Sequence, residues 1–79
     1  MQEKKIIEEF VEKNFLKGRS IENQDNASLL EEQVVDSVGV LELVAFLEET
    51  FKIRVEDEEI IPDNLDSINK IASYVRSKV

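Results

Sequence analysis

Residues 37–51 carry an apolar pattern at helical spacing, longer and more regular than any other stretch of the chain. At roughly 100° per residue, Val40, Leu43, Val44, Leu47 and Phe51 share one side. Asp36, immediately before the pattern, is a natural N-cap. A second apolar set, Val38, Leu41 and Ala45, falls on a different side and is bordered by Glu42, Glu48 and Glu49. A helix with a single core face should be polar opposite that face. Two readings follow. Either the preceding loop or another helix covers the second stripe, or the stripe is a docking surface with an apolar centre and an acidic rim. On both readings Glu42 and Glu48 lie off the core face.

The remaining segments supply partners for this helix. Ile6, Ile7, Phe10, Val11 and Asn14 recur three and four apart, Phe15 and Leu16 close the pattern, and Lys17-Gly18 is a good stop. Residues 19–35 are long for a connection in a small protein. They contain Ile21, Leu29, Leu30, Val34 and Val35, which predicts that they lie across the core. Ser28 to Glu31 fits a capping box, hence one helical turn within the loop. Ile53–Val55 reads as extended. Asp57 to Ile61 reads as a short helix ended by Pro62. A last helix begins near Asn64 or Asp66, buries Ile68, Ile71, Ala72 and Val75, and finishes with Arg76 and Lys78. The expected fold is all-α: one domain over residues 1–79, a small four-helix bundle with three main helices, one short helix and a long first loop.

Composition removes several functions. A chain of 79 residues buries only about 60% of its unfolded surface. It has no cysteine and no histidine, so neither disulfides nor the usual zinc ligands support it. The formal charge of −8 argues against nucleic acid and anionic membrane surfaces as partners. It suits either basic partners or simple solubility. No apolar run approaches the roughly 18 residues needed to cross a bilayer. The N-terminal Met1-Gln2-Glu3-Lys4-Lys5 leads into a helical pattern rather than an apolar signal core, which predicts a cytoplasmic protein. Asp57, Glu58 and Glu59 cluster, yet no stretch has the alternating oxygen ligands and central glycine of an EF-hand, so no metal site is expected. Ser37 has no histidine to activate it, so no catalytic residue and no turnover are expected.

Asp36-Ser37 before an apolar run is by itself only a helix start. The whole stretch Asp36-Ser37-Val38-Gly39-Val40-Leu41-Glu42-Leu43-Val44-Ala45-Phe46-Leu47-Glu48-Glu49-Thr50-Phe51 resembles the attachment segment of acyl and peptidyl carrier proteins. The order of helices and the acidity match that family along the full chain. The resemblance implies that a phosphopantetheinyl transferase attaches 4'-phosphopantetheine from coenzyme A to Ser37. It further implies that Asp36 assists recognition, and that acyl or aminoacyl groups ride on the arm as thioesters. The arm would import the thiol this chain lacks. Partner docking would fall on Val38, Leu41, Glu42, Ala45, Glu48 and Glu49, the stripe and rim already found from periodicity. Loading and transfer enzymes with basic patches would be the partners of a monomer. Fatty-acid carriers usually have Leu and then an acidic residue after the serine, where Val38 and Gly39 stand here. Asp-Ser-x-Gly and the Pro-x-Asn-x-x-Ser of Pro62 to Ser67 look more like specialised carriers, including D-alanyl and other aminoacyl or peptidyl types. The alternative class is an acidic protein–protein interaction module that is never modified.

Overall fold

The structure is a computed structural model that describes residues 2–19 and 21–79. Met1, which opens the charged N-terminal stretch, and Ser20, within the long connection, lie outside the described residues. All regular structure among the described residues is helical.

The first helix, α1, spans Gln2–Val11 and buries Ile7 and Val11. The next buried residue is Leu16, five positions beyond Val11, and the chain widens to meet it. Glu12–Leu16 is a π turn, closed by the Lys17 amide donating to the Glu12 carbonyl at 2.9 Å. The expected spacing through Asn14 therefore fails. Asn14 is exposed, and its side-chain amide donates to the Phe10 carbonyl at 3.0 Å. Lys17 (φ 51°) and Gly18 (φ 92°) both turn left-handed, so the stop lies where the sequence puts it.

The connection from Ile21 to Val35 covers one end of the core. Leu29, Val34 and Val35 are buried and Ile21 partly so, whereas Leu30 points outward, contrary to expectation. The Glu31 amide donates to Ser28 Oγ at 3.1 Å and the Glu32 amide to the Ser28 carbonyl at 3.0 Å, which makes the expected single turn. The loop is tied to distant residues. The Leu29 amide donates to the Asp66 carbonyl at 2.8 Å, and the Asn69 amide to the Asp25 carbonyl at 3.0 Å.

The second helix, α2, covers Ser37–Phe51 and is capped by Asp36, whose Oδ1 accepts from the Gly39 amide at 2.8 Å. Leu43, Val44 and Leu47 are buried, with Val40 and Phe51 partly buried beside them. After Lys52, a short 3-10 turn occupies Asp57–Glu59. Pro62 does not end a helix at Ile61 as expected. It opens one: α3 is the single turn Pro62–Leu65, with Pro62 in its first turn. A proline has no N–H to lose at that position, and its fixed φ is already helical.

The last helix, α4, spans Ile68–Lys78 and buries Ile68, Ile71, Ala72, Tyr74 and Val75. Its cap is Ser67, not Asn64 or Asp66: Ser67 Oγ accepts from the Lys70 amide at 3.1 Å. Asp66 is drawn away by the loop, accepting from Ser28 Oγ at 2.6 Å and from the Leu30 amide at 3.0 Å. Asn64 instead donates to the Glu59 carbonyl at 2.9 Å. α1 packs along α4, and α3 abuts the start of α4. The Cα radius of gyration, 11.4 Å, is close to the roughly 11.6 Å expected for a compact chain of this length.

Candidate functional site

Ser37 is the first residue of α2 and is exposed. Its position is fixed from both sides. Upstream, Val34 and Val35 are buried, and both their amides donate to the Leu29 carbonyl, at 2.9 and 3.1 Å. Downstream, Asp36 closes the cap on Gly39. The first amides of a helix have no carbonyl four residues back to bond with, and the positive end of the helix dipole lies there. An anion attached to Ser37 Oγ would sit at those donors.

Gly39 explains one departure from the fatty-acid carrier pattern. It is buried, and a Cβ there would lie 3.1 Å from Val35 Cγ1, 3.2 Å from Phe15 Cε1 and 3.3 Å from Asp36 Oδ1. Phe15, carried by the π turn, thus packs against the first turn of α2. Phe15 also meets Phe10 edge-on at 5.5 Å, and Phe10 stacks on Phe46 at 3.8 Å. Phe46 belongs to neither stripe read from the sequence, and it marks a third contact face of α2 toward α1.

Two depressions are lined by sequence neighbours of the serine. The polar one, about 270 Å³, is lined by Asn14, Lys17, Asp36 and Glu42 together with Phe15, Val34 and Gly39. The apolar one is a cleft of about 90 Å³ between the loop (Leu29, Leu30, Val35), Val40 of α2, and the Ile60–Leu65 segment. Val40 lies one turn after Ser37, so the cleft begins on the serine's side of α2.

The second stripe is uncovered. Val38 is 65% exposed and Leu41 62%, and Ala45 is also open to solvent. Neither the loop nor another described segment buries them. Leu30 and Ile61, at 44% and 43%, extend apolar surface to the mouth of the cleft. Sequence reasoning missed this role for both. The available signal was the doublets Leu29-Leu30 and Ile60-Ile61, whose members cannot all face inward in tight turns. Of the acidic rim, Glu42 and Glu49 are exposed. Glu48 is half-buried, and its Oε2 accepts from the Val55 amide at 2.9 Å, so it also holds the chain leaving α2.

No family model matches the chain. Curated relatives do. It is 33% identical over 54 residues to the acyl carrier protein of Buchnera aphidicola subsp. Schizaphis graminum, an alignment spanning 68% of this chain and 66% of that protein. Against the acyl carrier protein of Buchnera aphidicola subsp. Acyrthosiphon pisum it is 29% identical over 77 residues, 94% of each chain. The chain belongs to the acyl carrier protein family. The acyl carrier protein of Exiguobacterium sibiricum is 39% identical over 44 residues, 56% of this chain and 53% of that one. Two of these three alignments thus span only 66% and 53% of the relative's length. No helix among the described residues is long and apolar enough to cross a membrane.

Proposed function

We propose that this family member is a carrier, not an enzyme, and that it holds acyl or aminoacyl groups on 4'-phosphopantetheine esterified to Ser37. The observation that carries the reading is the exposed Ser37 at a helix N-terminus, fixed by a capped helix on one side and a packed loop on the other. In the modification, Ser37 Oγ forms a new bond to phosphorus, the pyrophosphate link of coenzyme A breaks, adenosine 3',5'-bisphosphate leaves, and the hydroxyl proton passes to the transferase. The bound arm supplies a thiol to a chain without cysteine. Asp36 keeps α2 capped, so the phosphodiester meets a formed helix end, and it presents a carboxylate to the transferase beside the hydroxyl.

Val38, Leu41 and Ala45 supply the apolar centre of a docking surface for loading and transfer enzymes, with Glu42, Glu48 and Glu49 as the rim that selects basic patches. Residues 1–79 act as one carrier domain, a cytoplasmic monomer.

Mass spectrometry after co-expression with phosphopantetheinyl transferases tests this reading. The expected result is a gain of one phosphopantetheine that is lost in Ser37→Ala. No gain with several transferases would favour an unmodified interaction module, which the exposed stripe would equally serve.

A further inference from the structure

We propose that Phe15 is a positioning residue for the modification of Ser37: its ring packs on Gly39 and keeps the first turn of α2 wound, so that the Ser37 hydroxyl and the Asp36 carboxylate meet the transferase in one fixed relation. The inference deepens the carrier reading of Ser37 and rests on it.

The attachment point begins with a weakness. Gly39 stands two residues after Ser37, inside the first turn of α2. Glycine loses more backbone freedom on entering a helix than any other residue, so it disfavours the turn that contains it. Beyond the Asp36 cap, no acidic side chain supports that turn. The Gly39 amide donates to Asp36 Oδ1 at 2.8 Å, and the Val40 amide donates to the Asp36 carbonyl at 2.9 Å. Both bonds depend on where Gly39 lies.

Phe15 supplies the missing restraint. A Cβ on Gly39 would lie 3.2 Å from Phe15 Cε1 and 3.3 Å from Asp36 Oδ1, so ring, glycine and cap oxygen pack around one point. The ring is held from behind. It meets Phe10 edge-on at 5.5 Å, and Phe10 stacks at 3.8 Å on Phe46, two turns beyond Gly39 along α2. The π turn is what brings Phe15 there. In an α-helix, residues five apart point about 140° away from one another. Closure over Glu12–Leu16 returns Phe15 toward the side of Phe10, as it returns Leu16 toward that of Val11. The irregular end of α1 thus delivers an aromatic ring to the one turn of α2 that glycine weakens. Phe15 is half-buried and belongs neither to the exposed stripe nor to the acidic rim of α2.

The test is the kinetics of Ser37 modification by a phosphopantetheinyl transferase with coenzyme A, on variants that circular dichroism shows to be folded. Phe15→Ala should lower kcat about fivefold, the factor that corresponds to glycine's helix penalty relative to alanine, and keep KM for the carrier within about twofold. Ile71→Val, which thins the core in α4, is the stability control and should keep the parent kcat. Adding Gly39→Ala to Phe15→Ala should restore the parent kcat, because alanine winds the turn by itself and no ring is left to meet its methyl. In the unmodified chain, the Gly39 amide should exchange about fivefold faster in Phe15→Ala and return to the parent rate in the double variant, with the Leu43 and Leu47 amides unchanged. Should Phe15→Ala unfold, Phe15→Leu, whose side chain falls short of Gly39, takes its place with the same expected split. An unchanged kcat overturns the proposal. A rise in KM alone makes the ring a transferase contact and overturns it too. An equal loss in Ile71→Val, or no rescue by Gly39→Ala, reduces Phe15 to general packing. If the parent itself gains no phosphopantetheine at Ser37, the carrier reading falls and takes the positioning role with it; a modified parent with unaltered variants overturns the positioning role alone.

Discussion

At Gly39 a Cβ would lie 3.1 Å from Val35 and 3.2 Å from the Phe15 ring, so any side chain there must push these neighbours aside. Gly39→Leu should destabilise the protein by about 2 kcal/mol, as overpacking does. Gly39→Ala should stay within about 1 kcal/mol of the parent, since the helix gain of alanine offsets a contact of a few tenths of an ångström. Urea midpoints measure both; equal losses would contradict the packing account. Asp36 has two separable tasks. Asp36→Asn keeps an oxygen to accept from Gly39 and should hold stability within a few tenths of a kcal/mol while slowing transferase modification, whereas Asp36→Ala should also lose about 1 kcal/mol. Modification that proceeds at the parent rate in Asp36→Asn would reduce Asp36 to a cap.

The acidic rim of α2 shows how residue and element scales interact. Glu42 is exposed and bonds to nothing among the described residues, so Glu42→Lys should weaken binding to a basic partner and leave helical circular dichroism and stability intact. Glu48→Lys should weaken binding too, but it frees the Val55 amide and should lower stability by about 1 kcal/mol. Titration with a loading enzyme at low salt, beside a denaturation curve, separates the two. If both variants bind as the parent does, α2 does not dock through its rim.

α2 is readable because its signals are local: a cap, a sustained apolar period and, after Gly39 in the first turn, no further glycine or proline. The elements that were misread have distant causes. Asp66 and Ser67 are both capping residues, and only Ser28 and Leu30, far back in the chain, remove Asp66 from the choice. Pro62 reads equally well as the end of one helix or the start of the next. The π turn depends on Leu16, rather than Phe15, being the residue buried after Val11. The places of Asp36 and Ser37 at the start of α2, and the second stripe, are legible in the sequence. The apolar cleft was not, since its walls come from three separate segments.

At the scale of the whole molecule, Glu59 couples stability to pH. Its carboxyl is lowered from 4.5 to about 2, chiefly by the Glu56 amide and then by Lys78 and Tyr74. A depressed carboxyl contributes stability that is complete above the unfolded value of 4.5 and disappears as pH falls through about 2. The melting temperature of Glu59→Gln should therefore lie below the parent's at neutral pH, with a gap that narrows between pH 4.5 and 2. A gap that stays constant over that interval would mean the carboxylate's charge adds nothing to the bonds it accepts from Tyr74, Lys78 and the Glu56 amide.

All of these effects serve one arrangement, a hydroxyl held in solvent at the start of α2. Fragmentation mass spectrometry of proteolytic peptides from the transferase-treated chain tests it most directly, because it locates the added group among the serines. The account predicts the whole added mass on Ser37. Mass on Ser20, Ser28, Ser67, Ser73 or Ser77, or on no residue, would contradict it.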